Sequence, residues 1–146
     1  MESKASILPL IVEDHKKIEA FIDTLDESIN GEYDEMRDAF SSMKWHLEKH
    51  LFMEEKAIFT MYEPEDVNQG YKMLPTVTSH HNEILNRLDI MRHEVQNGKA
   101  PTELHKFKTF LVRHRTFEEK ELYPKLEDVL SEAQKKVIIE RINEII

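Results

Sequence analysis

Cysteine is missing from this 146-residue chain. That excludes disulfides, thiolate zinc sites and catalytic thiols, and it leaves the redox compartment open. Glycine is scarce, with three residues, and there are five prolines. Few positions therefore force a break in regular structure. Clustered positive charge is missing too. Lys and Arg number 20 against 29 Asp and Glu, a formal net charge of −9. Nucleic acid and anionic membrane both reward clustered cations, so neither is expected as a partner. No run of about 18 apolar residues is present to span a bilayer. The N-terminus has no basic stretch leading into an apolar run, so no signal peptide is expected and the default location is the cytoplasm. At this length one domain, residues 1–146, is expected to bury a real core. Charged residues make up 34% of the chain and are well mixed, which suits helices with solvated outer faces.

Sustained strand-like alternation is absent as well. Apolar residues instead recur at helical spacing. The pattern predicts helices over about 6–29, 33–62, 75–96, 101–123 and 131–145. Ile11, His15, Ile18, Ile22 and Leu25 mark the inner face of the first, and Asn30-Gly31 stops it. Met36, Phe40, Met43, Leu47, His50, Glu54, Ala57 and Ile58 mark the second, which Pro64 ends. Val77, His81, Ile84, Leu85, Leu88 and Met91 mark the third, closed by Asn97-Gly98. Leu104, Phe107, Leu111, His114, Glu118 and Leu122 mark the fourth, which begins near Pro101 and reaches Pro124. Ser131 is placed to cap the short fifth helix. Short or moderate links make sequential neighbours antiparallel. The expected fold is all-α: an up-down-up-down four-helix bundle with a short C-terminal fifth helix.

One string occurs twice. It reads H-L-F-M-E-E-K-A-I-F from His50 to Phe59 and H-R-T-F-E-E-K-E-L-Y from His114 to Tyr123. Residues i and i+4 share a helix face, so each copy aims one imidazole and one carboxylate at the same region. Each copy also follows a helix with one inward His: His15 precedes His50 by 35 residues, and His81 precedes His114 by 33. Two helical hairpins related by a pseudo-two-fold axis would follow. The combined set is His15, His50, Glu54, His81, His114 and Glu118, spread over all four apolar stripes. Burying such groups unpartnered would cost several kcal/mol per ion. Metal ligation removes that difficulty. Mixed imidazole and carboxylate ligands suit iron, manganese or zinc better than magnesium or calcium. Six ligands exceed the need of one tetrahedral zinc. They suit two metals, each taking two His and sharing bridging Glu.

The sequence resembles the hemerythrin-like proteins, also called HHE cation-binding domains. The family pattern is one His, then His-x3-Glu, then one His, then His-x3-Glu on four successive helices. The chain reads His15, His50-Leu-Phe-Met-Glu54, His81 and His114-Arg-Thr-Phe-Glu118 at those places. The contexts E-D-H-K-K-I and H-H-N-E-I-L are similar to the family's, and the resemblance spans about residues 5–125. It implies a cofactor of two iron ions, a non-haem di-iron centre with carboxylate and solvent-derived bridges. The chain departs from the oxygen-carrying members at one position. Those carry a second His one turn along the third helix, where Leu85 stands here, with Val77 one turn the other way. Glu118 is also longer than the Asp usual in the carriers. An open metal position would follow, which redox or peroxide chemistry needs.

Other residues carry weaker signals. His46 sits at the edge of the second stripe and could add an imidazole; His80 competes with His81; Tyr123 matches Phe59 in the repeat and is expected to pack near the end of the bundle rather than serve as a ligand or radical site. Glu55 and Glu119 fall off the inner stripe and are expected to pair with surface lysines, while His93 and His105 are expected to face solvent. Three functions remain open at this level. One is binding of dioxygen, NO or a related small ligand. The second is an enzyme acting on hydrogen peroxide, NO or ferrous iron. The third is a metal-free or zinc-bound helical interaction module. A ferritin-like site needs Glu-x-x-His, and no His here has a Glu three residues before it. A zinc protease needs His-Glu-x-x-His, which is also absent. The oligomeric state is not written in the sequence.

Overall fold

The computed structural model describes residues 5–61 and 72–146. Four long helices form the bundle: α1 (Leu8–Ser28), α2 (Tyr33–Met53), α3 (Leu74–Gln96) and α4 (Leu104–Phe117). A short α5 (Tyr123–Glu127) continues the line of α4, and α6 (Glu132–Ile145) follows as the C-terminal helix. Helix α1 packs on α2, α2 on α3, α3 on α4 and α4 back on α1, which closes the ring. Among the described residues there is no strand, and no helix is long and apolar enough to cross a membrane. The expected end of the second helix at Tyr62, and the link carrying Pro64 and Gly70, lie outside the described residues.

Turn chemistry sets most of the boundaries. Gly98 has φ 78°, and the bonds Gly98 N–H to Val95 O (3.0 Å) and Lys99 N–H to Glu94 O (2.9 Å) close α3 in a Schellman turn. Ser131 caps α6 as expected: its hydroxyl accepts from Gln134 N–H at 3.1 Å, and its own N–H donates to Gln134 Oε1 at 2.9 Å. Helix α4 starts at Leu104, three residues later than Pro101 suggested. The reason lies on α3, where Glu94 accepts from the Thr102 N–H (3.2 Å) and hydroxyl (2.8 Å) and holds that stretch in a turn.

Both helices bearing the repeated string change pitch inside it. A π-helical turn runs over Glu54–Ile58 and another over Glu118–Leu122. Their closing bonds run from Phe59 N–H to Glu54 O and from Tyr123 N–H to Glu118 O, five residues apart in each copy. The second turn also explains why the fourth helical line does not stop at Pro124. Pro124 falls in the first turn of the following α5, where its missing N–H costs little, and the chain stays helical to Glu127.

The core is divided into two apolar compartments. One holds Phe40, Met43, Leu47, Leu88, Met91 and Phe107 with their neighbours. The other holds Ile7, Ile11, Met53, Ile58, Val77, Leu122, Tyr123, Leu126, Ile138 and Ile142. Helix α6 belongs to the second, contributing Ile138 and Ile142, both fully buried. Along every bundle helix the switch from one compartment to the other falls at the buried His or Glu. Leu85 belongs to neither compartment. It was expected inward but is 40% exposed, because Ile84 and Leu88 already fill the inner stripe of α3.

Candidate metal centre

The polar layer between the compartments is the set His15, His50, Glu54, His81, His114 and Glu118, all buried. Helix α1 delivers His15, α2 delivers His50, α3 delivers His81 and α4 delivers His114. The two carboxylates stand at the first residues of the two π turns. The structure brings all six together in two overlapping quartets. One is His15, His50, Glu54 and Glu118; the other is His81, His114, Glu54 and Glu118. In each quartet the ligand-type atoms lie within 4.8 Å of one another.

The distances show how the quartets share their carboxylates. Glu54 Oε1 lies 2.8 Å from His50 Nε2 and 3.5 Å from His81 Nε2. Glu118 Oε1 lies 3.0 Å from His15 Nε2, while its Oε2 lies 3.3 Å from His114 Nε2 and 3.8 Å from His81 Nε2. Among the described residues, five of these buried atoms have no hydrogen-bond partner: His50 Nε2, Glu54 Oε1, His81 Nε2, His114 Nε2 and Glu118 Oε2. His50 Nε2 and Glu54 Oε1 are close without hydrogen-bond geometry. Orphaned buried polar atoms are costly, and here every one points toward the same small space. Cations held by the two quartets would satisfy all five. The donors are imidazole nitrogen and carboxylate oxygen, a set that fits iron, manganese or zinc.

Electrostatics in the metal-free layer tell the same story. Burial works against a charged His50, but the Glu54 charge and the hydrogen bond to Asp14 outweigh it and push the imidazole up to about 10. His81 behaves alike: burial opposes its charge, and Glu118 and Glu54 raise it to about 10. Burial also opposes the Glu118 charge, yet the close polar contacts with Glu54, His114, His15 and His81 outweigh it and hold the carboxyl well below the usual carboxylate range.

A ring of outer contacts orients the imidazoles. His50 Nδ1 meets Asp14 at 2.6 Å, His15 Nδ1 meets Glu119 at 2.8 Å, and His81 Nδ1 meets Glu55 at 3.0 Å. This corrects the expectation for Glu55 and Glu119. Among the described residues neither pairs with a lysine; each reaches across to the single-His helix of the opposite hairpin. The second Glu of the repeated string therefore has a role as regular as the first. The fourth imidazole, His114, has its Nδ1 3.0 Å from His80 Nδ1. His80 is thus an outer partner, and His81 is the inward residue. His46 stands apart from the layer, stacked on Phe21 with centroids 4.0 Å apart. His93 and His105 are exposed, as expected.

Tyr123 was expected to pack near the end of the bundle. It is fully buried there, but its hydroxyl also donates to Glu54 Oε2 at 2.5 Å. The mismatch between Tyr123 and Phe59 in the repeat was the available signal. Beside the layer, a small apolar cavity opens between α1 and α4. It is lined by Ile18, Ile22, Leu47, Leu111 and Val112, with His15, His50 and His114 on its wall. Arg115 ion-pairs with Glu19 near its mouth.

No curated protein and no solved structure matches the chain. A family model does: the hemerythrin HHE cation-binding domain matches residues 6–126. The match takes in all six buried His and Glu residues and leaves out only α6 and the flanking ends. On this match, with its buried His/Glu layer inside a helical bundle, the chain belongs to the hemerythrin HHE cation-binding domain family.

Proposed function

We propose that this protein holds a non-haem di-iron centre and takes up dioxygen or a related small ligand such as NO there. One observation carries the reading: two buried quartets that share Glu54 and Glu118 and leave five ligand-type atoms unpartnered. His15 and His50 would hold one ion, His81 and His114 the other, and the two Glu would bridge. When bound, an iron pair would supply redox electrons and a Lewis-acidic face. The chain supplies the rest. Asp14, Glu55 and Glu119 fix ring orientation and keep Nε2 directed inward. The apolar compartments keep bulk water from the layer. The cavity between α1 and α4 gives a small uncharged molecule a route that a hydrated ion would enter reluctantly.

The competing reading is turnover of hydrogen peroxide, NO or ferrous iron at the same centre. Its support is the Tyr123 hydroxyl, an O–H donor held against Glu54 inside the protein. Exposure of Leu85, where the carriers place a His, bears on the same question, because no imidazole from that position reaches the layer.

Metal analysis after anaerobic loading with ferrous iron should give about two irons per chain, as the duplicated quartet requires. His50→Ala and Glu118→Ala should each lower iron content and thermal stability together. Retained iron in both variants, or a single zinc in the native chain, contradicts the di-iron assignment. Mixing the ferrous protein with oxygen separates the two readings. A persistent, reversible absorption band supports binding; gas evolution or rapid bleaching on adding peroxide supports turnover.

A further inference from the structure

Each of the four layer histidines turns one ring nitrogen to the centre and the other to a partner outside it. Three of those partners are carboxylates: Glu119 on His15, Asp14 on His50 and Glu55 on His81. The fourth is an imidazole, His80 on His114. The pseudo-two-fold relation makes this exception informative. Asp14 immediately precedes His15, and His80 immediately precedes His81. Asp14 reaches the His-x3-Glu helix of its own hairpin, and His80 does the same in the other. One structural place therefore carries a charged carboxylate in the first hairpin and an imidazole in the second. His80 is not adrift there: its ring sits between the edges of Phe110 and Phe117, at centroid distances of 6.0 and 5.8 Å.

The two partners do different things to a ligand. A carboxylate that accepts the Nδ1–H of an imidazole raises the basicity of Nε2. An imidazole accepts the same proton through a neutral nitrogen and gives the ring much less. The quartet of His15 and His50 has two outer carboxylates; the quartet of His81 and His114 has one. Arg115 Nε lies 3.8 Å from Glu119 and draws on that carboxylate. It leaves Asp14 free to act on His50, and that bond is the shortest of the four at 2.6 Å.

We propose that the two metal positions are unequal. The His15/His50 position is the tight one, the His81/His114 position is the weaker and more readily exchanged one, and the Asp14/His80 difference sets the gap. His80 is thus a positioning residue acting through His114. The inference rests on the two-metal reading above.

The test is an anaerobic titration of the metal-free protein with ferrous iron against a competing chelator. The native chain should bind in two resolved steps whose affinities differ by roughly 10- to 100-fold. H80D should tighten the weaker step by roughly tenfold and draw the steps together. D14N should draw them together from the other side, by weakening the tighter step. His114→Ala should remove the weaker step and keep the tighter. Two native steps of equal affinity, or an unchanged gap in either H80D or D14N when folded by circular dichroism, overturns the proposal and leaves the two-metal reading standing. Uptake of a single iron overturns both.

Discussion

The Tyr123 hydroxyl offers a sharp test of how the polar layer is held when no metal is present. Both partners of the Tyr123–Glu54 hydrogen bond are fully buried, and the O···O distance is 2.5 Å. Tyr123→Phe removes the hydroxyl and keeps the ring volume, so no cavity opens. The carboxylate oxygen Oε2 is left without its Tyr123 partner in a place that water does not reach. A hydrogen bond to a charged buried group contributes about 1.5–3 kcal/mol. The variant should therefore lose about 2 kcal/mol in the metal-free protein. For a chain of this size that corresponds to a fall in Tm of about 4–8 °C. With metal bound, the ion carries much of the carboxylate charge, and the loss should shrink toward about 1 kcal/mol, the value of a neutral hydrogen bond. Urea unfolding of both forms at pH 7 reads both numbers. A shift below about 0.5 kcal/mol in the metal-free protein, the range of a bland surface change, would refute the reasoning. So would a larger loss in the loaded form than in the metal-free one.

Four further outcomes are expected. In the metal-free protein His50 and His81 are raised from 6.5 to about 10. Their contribution to stability is then complete below about pH 6.5 and is lost as pH rises through about 10. Metal loading runs the opposite way and should release about two protons per chain at pH 7, countable by calorimetry in buffers of different ionisation enthalpy; no release would count against ligation by these imidazoles. Gly98→Ala places a side chain at φ 78° and should cost about 1 kcal/mol by urea unfolding, despite open space around the new methyl group. Ser131→Ala breaks the capping box of α6 and should cost about 1 kcal/mol, with faster amide exchange in 132–145 as its local signature.

The six inward residues were legible because chemistry and period agree at each of them. A His or Glu at the center of an apolar stripe is expensive without a partner, and the i, i+4 spacing fixes which pairs share a face. The hairpin duplication was legible for the same reason. What could not be read was azimuth between helices. Glu55 and Glu119 lie one residue past the inward Glu, and periodicity alone places them on the flank. Only the neighbouring helix decides whether a flank meets solvent or His81 and His15. Leu85 shows the converse, an apolar residue beside Ile84 that simply faces out. The π turns left no trace either. Glu-Glu-Lys-Ala-Ile and Glu-Glu-Lys-Glu-Leu are ordinary helix-forming strings, and the wider turn comes from tertiary demands on Glu54 and Glu118.

The split core has a consequence for cooperativity. In most small bundles a continuous apolar interior makes folding all-or-none. Here two oily halves meet across a slab of imidazole and carboxylate groups. That slab is weak cement when it holds only protons and strong cement when ions bind it. The half containing α6, where Glu127 at the end of α5 accepts from the backbone N–H of Ile7 and Leu8 at the start of α1, can then loosen as its own unit. Metal content would decide whether this molecule unfolds as one body or as two.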